Sequence, residues 1–92
     1  MNLLPNFNPQ AVGENKMWSY KTNKGTFYIV QRQKRFHVIY NDEYLDSYST
    51  PEKAADDLSG GHIVAPSNGV DPGELGIPDD LGDWEFTRSN AS

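Results

Sequence analysis

The chain has 92 residues, a net charge of -5, 36% hydrophobic and 23% charged residues, and a mean hydropathy of -0.73. That is room for one small domain, and no stretch approaches the ~20 apolar residues of a membrane span. Residues 1–10 have neither the basic nor the apolar region of a secretory signal, and the absence of cysteine excludes a disulfide framework or a thiolate metal site.

Residues 1–16 hold Pro5, Pro9, Gly13 and four Asn with no period, which predicts an irregular N-terminal arm. The folded domain is expected over 17–64. Within it, 26–32 and 35–40 are rich in aromatic and β-branched residues, which favour a pleated surface. A shorter third run covers 43–48, and Trp18-Ser19-Tyr20 can add to the sheet ahead of an Asn23-Lys24-Gly25 turn. Helix signals come next. Thr50 is suited to cap free amides, Pro51 to the first helical position and Glu52 to the positive end of the dipole. Ala54, Ala55 and Leu58 form a narrow apolar stripe, and Gly60-Gly61 stops the helix. A helix this short needs the sheet to hold it. The expected fold class is therefore α+β, a three-stranded antiparallel meander with one short helix on one face (β-β-β-α) and irregular extensions at both ends.

Alternation along strands assigns the two faces. Asn41-Asp42 suits a two-residue turn because both tolerate positive φ, and Gln33-Lys34 suits it less well. With both read as two-residue loops, the first face collects Phe27, Ile29, Phe36, Val38, Tyr40, Leu45 and the small Ser47. The second collects Tyr28, Val30, Arg32, Arg35, His37, Ile39, Tyr44, Asp46 and Tyr48, with His37 opposite Asp46. The first face is the one for the helix to cover. A core of this size is thin, so further burial is expected from a tail, a second copy or a partner.

The tail, 65–92, is loop-like yet carries Leu75, Ile77, Leu81, Trp84 and Phe86 among its acids, with a short helical turn expected over 79–84. So many large apolar groups predict a tail that docks. Its own second face, a dimer mate's or a foreign protein are the three available grooves. The thin core favours the first, with Trp84 and Phe86 against Tyr28, Val30, Ile39 or Tyr48, and Asp83 and Glu85 near Arg32 and Arg35. Charge is uneven along the chain. Residues 1–40 carry six bases against Glu14, and 41–92 carry twelve acids against Lys53 and Arg88.

Signals for catalysis or metal binding are weak. His37 and His62 have no ligand spacing, the paired acids Asp56-Asp57 and Asp79-Asp80 lack a calcium-loop pattern and read as solvating groups, and Ser59-Gly60-Gly61-His62 lacks the lysine of a phosphate loop. No enzyme, no cofactor, no metal and no membrane contact is expected. The expected function is a small cytoplasmic binding module, the compartment following from the missing disulfides. It would engage a protein, or a second copy of itself, through Tyr28, Arg32, Arg35, His37, Tyr44 and Tyr48 of the sheet and Leu81, Trp84 and Phe86 of the tail.

Residues 25–58 also resemble, in strand order, the plant AP2-type DNA-binding domains and the N-terminal domains of phage integrases. The run from Leu45-Asp46-Ser47-Tyr48 to Ala54-Ala55 is similar to their Leu-Gly-x-aromatic step followed by Glu-Ala-Ala, with Asp46 in place of the Gly. The tryptophans and extra arginines of their DNA-reading strands are missing here. The resemblance implies a nucleic-acid binder using Arg32, Lys34, Arg35 and the tyrosines, which the overall acidity opposes. A phage-type inhibitor whose acidic half mimics nucleic acid is a third expectation.

Overall fold

The computed structural model describes residues 15–89; of the irregular arm expected over 1–16, residues 1–14 lie outside the described residues, and Asn15 and Lys16 belong to the first strand because they pair with Ser89 and Arg88. The chain forms an antiparallel sheet and one helix, as expected, but the sheet has five strands and not three. These are β1 (Asn15–Thr22), β2 (Gly25–Arg32), β3 (Arg35–Tyr40), β4 (Glu43–Tyr48) and β5 (Glu85–Ser89), in the order β4-β3-β2-β1-β5. Helix α1 (Pro51–Gly60) follows β4, and two single 3-10 turns, Pro72–Glu74 and Leu81–Asp83, punctuate the return to β5.

Each hairpin follows from its turn. Asn41 and Asp42 both take positive φ, 55° and 62°. At the second turn Gln33 takes φ 59°, an unusual choice of residue there, and the β2–β3 pairing is the one expected: Phe27 with Tyr40, Ile29 with Val38, Arg32 with Arg35. Between β3 and β4 the expected register fails halfway. Ile39 pairs with Tyr44, but Val38 then pairs with Asp46, leaving Leu45 as an extra residue in a β-bulge. The bulge reverses the facing of everything after it. His37 lies opposite Ser47 and not Asp46, while Tyr48 lies opposite Phe36 on the first face.

Helix α1 begins and ends as its sequence dictates. Thr50 is extended and its Oγ1 accepts from the Lys53 amide at 3.2 Å; Gly61 closes the helix in the left-handed region at φ 73°. Its buried residues are Ala54, Ala55 and Leu58, which pack on Phe27, Ile29, Val38, Tyr40 and Leu45. Past the helix, Gly61 and Gly73 meet backbone to backbone: a Cβ placed on Gly73 would lie 2.9 Å from the Gly61 Cα. This contact seats the first 3-10 turn on the helix end.

Strand β1 extends the addition to the sheet expected at Trp18-Ser19-Tyr20, whereas β5 has no counterpart in the sequence reading. Residues 17–22 alternate as a strand should, yet their partner β5 is a five-residue run about seventy residues away with no turn to announce it. The acids before it are also more than solvating groups. Asp71 Oδ1 accepts from the Gly73 amide at 3.0 Å and Asp80 Oδ1 from the Gly82 amide at 2.9 Å, so each caps a 3-10 turn. The signal was present twice in the sequence, as Asp71-Pro72-Gly73 and Asp80-Leu81-Gly82.

Candidate binding faces of the sheet

The C-terminal tail docks within its own chain, but on the helix side. Trp84 is only 6% exposed; its ring packs on Tyr20 with centroids 5.8 Å apart, and its Nε1 donates to the Pro78 carbonyl at 2.9 Å. Ile63 and Ile77 join the same core, with Leu75 and Leu81 packed against it. The expected docking on Tyr28, Val30 and Ile39 is therefore overturned. The physical reason is β5: once Phe86 pairs with Trp18, the chain just before it enters over Tyr20, a first-face residue. Phe86 itself remains 48% exposed, its ring 5.2 Å from that of Trp18.

Five of the six expected sheet residues do share the second face: Tyr28, Arg32, Arg35, His37 and Tyr44. Tyr48 does not, because of the bulge. It packs against the core, near Asp57 of α1; burial, then the neighbouring Asp57 carboxylate and the charge of Asp46, push its phenol well above the usual range. Ser47 takes its place on the second face and accepts a hydrogen bond from Arg35 Nη2 at 2.9 Å. His37 leans on Tyr44, ring centroids 5.6 Å apart. Sequence reasoning missed what the outer strands add to this face. Met17 and Ser19 stand opposite Val30 and Tyr28, and Thr87 and Glu85 continue those rows on β5.

Among the described residues, the buried core is built wholly on the first face. The second face keeps an apolar centre of Tyr28, Val30, Ile39, Tyr44 and Met17, with Lys21, Arg32 and Arg35 around it. Tyr44 is 57% exposed. Charge is segregated in the same way. The helix and the segment up to Trp84 carry eight acids (Glu52, Asp56, Asp57, Asp71, Glu74, Asp79, Asp80 and Asp83) against Lys53. Lys53 pairs with Asp57 at 3.2 Å, and no base of β1, β2, β3 or β5 has an ion-pair partner among the described residues.

Among the described residues no helix is long and apolar enough to cross a membrane, and no His, Cys, Asp and Glu side chains gather as a metal site. Compared with known proteins, the chain matches no family model, no curated protein and no solved structure.

Proposed function

We propose that this chain is a small non-catalytic binding module that engages a protein through the second face of its sheet. The observation that supports this is the side on which the tail docks. By packing on the helix side, it satisfies the core and leaves Tyr28, Val30, Ile39 and Tyr44 without a covering layer among the described residues. An apolar centre rich in Tyr, with Met and Arg at its margin, has the composition of interface cores, where Tyr and Arg carry a large share of the energy. In this reading Leu81 and Trp84 serve the fold and not the partner, and Tyr48 serves the helix contact.

The test uses the full chain as bait for proteins of its source cell, beside Tyr28→Ala with Tyr44→Ala, and Phe86→Ala as a first-face control. A partner held through the second face is lost at least tenfold with the double variant and retained by the control. Equal retention by all three would sink the reading. Sedimentation of the purified chain covers the remaining case, since a dimer dissociated by the same pair of substitutions identifies the partner as a second copy.

A further inference from the structure

Arg32 and Arg35 stand directly opposite each other where β2 and β3 meet their turn, both on the second face. Like charges placed in this way destabilise a sheet, and among the described residues no carboxylate pairs with either. Glu52, in the first turn of α1, lies toward the same end of the sheet. The helix packs on the first face, however, and Glu52 makes no ion pair with either arginine. Within β1, β2, β3 and β5 the one acid is Glu85. It stands beside Ser19, about 17 Å from Arg32 by strand spacing and rise. That is roughly twice the ~8 Å screening length at physiological salt.

The bulge builds the rest of the site. By turning Tyr48 away it brings Ser47 to the second face, where Ser47 Oγ accepts from Arg35 Nη2 at 2.9 Å. The hydroxyl holds one guanidinium in place while the other stands across from it. Bulges recur where a strand re-aims a side chain beside a site. From Arg32 the second face continues along β2 through Val30 and Tyr28, one every ~7 Å. His37 and Ile39 lie alongside on β3, and the His37 and Tyr44 rings form a pair with centroids 5.6 Å apart. Two cationic forks thus border an apolar centre that bears tyrosines. The chain's own acidic, aromatic tail has the chemistry to match that surface, yet its Trp84 packs on the helix side.

We propose that the partner of the second face presents an acidic segment, with a carboxylate seated between Arg32 and Arg35 and an apolar or aromatic side chain next to it on Val30 and Tyr28. A carboxylate accepts from guanidinium forks in charge-assisted hydrogen bonds, and seating one here removes the repulsion between the two arginines. The inference rests on the second-face reading and adds to it the chemistry of the partner.

The probe is a fluorescently labelled random copolymer of glutamate and tyrosine, titrated with the full chain and followed by anisotropy. The wild type binds it, and Arg32→Gln with Arg35→Gln weakens binding by roughly tenfold or more. Those substitutions remove a repelling pair, so thermal melts show the fold kept. Lys16→Gln with Arg88→Gln changes the net charge equally, but on the first face, and leaves binding unchanged. No binding of the copolymer at low salt, or equal losses in the two charge variants, overturns the inference. Equal competition by polyglutamate, which has the charge without the rings, also overturns it. Stronger competition by oligothymidine overturns it in favour of nucleic acid. The two readings fail separately when cell proteins are the sample. A partner lost with Tyr28→Ala and Tyr44→Ala but held by Arg32→Gln with Arg35→Gln keeps the second face as the interface and overturns the acidic segment. Loss with both pairs of substitutions is the expected result.

Discussion

Tyr48 shows how much one side chain's facing decides. On an unbroken strand it would lie opposite Arg35 on the second face. Turned to the first face, it is partly buried near the Asp57 and Asp46 carboxylates, so the folded chain holds the phenol proton more tightly than the unfolded chain does. The sign follows from linkage. Its contribution is fully present below the unfolded value of about 10 and is lost as pH rises above it, because only the unfolded state then releases the proton readily. Denaturant melts between pH 9 and 11 should show the wild type losing stability with a steeper slope than Tyr48→Phe, the two curves running parallel below pH 9. Parallel curves throughout would place Tyr48 away from Asp57.

At the scale of elements, the first 3-10 turn sits on the end of α1 with no room between the backbones for a side chain. Gly61 needs its left-handed φ, and Gly73 needs to have no side chain, since its Cβ position is already occupied by the Gly61 backbone. Gly73→Ala therefore has to push the turn off the helix end or shift both, and overpacking of this kind costs about 1–3 kcal/mol. Chemical denaturation reads the loss as a lower midpoint. Gly69→Ala serves as the comparison, because it meets open space but suffers the strain of φ 85°. If Gly73→Ala is no worse than wild type, the 72–74 turn is not docked there. The caps at Asp71 and Asp80 belong to the same logic: residues that composition files under charge are used for backbone geometry.

For the whole molecule, the decisive element is the tail, which closes both the core and the sheet. Trp84 lies between the 3-10 turn and β5, buried against Tyr20. Its contribution comes from apolar burial and one hydrogen bond, not from ion pairs. Trp84→Ala should cost about 3–5 kcal/mol, a large part of the stability of a domain this size. The accompanying fall in melting temperature should be nearly the same at low and high salt, because no charged contact is removed. A strongly salt-dependent loss would mean that the acidic tail is held by the bases of the sheet after all.

What the sequence determined by itself is everything carried by neighbours along the chain. The extent of α1 follows from Thr50, Pro51 and Gly61, and the β2–β3 register from a two-residue turn, and with them came the first-face set of Phe27, Ile29, Val38 and Tyr40. Five of the expected second-face residues followed from the same alternation. Only the tertiary structure decided the rest. The bulge at Leu45 is one extra residue with no distinguishing chemistry, tolerated because it lets both Leu45 and Tyr48 reach the helix side, and it moved Tyr48 and Ser47 to opposite faces. Strand β5 pairs with β1 across most of the chain length, so no turn or period marks it, and that pairing alone chose which face the tail would cover. Local signals are legible because a turn or a cap is satisfied by adjacent residues. A distant strand pairing and the side on which a tail docks are choices between surfaces that exist only once the sheet has formed.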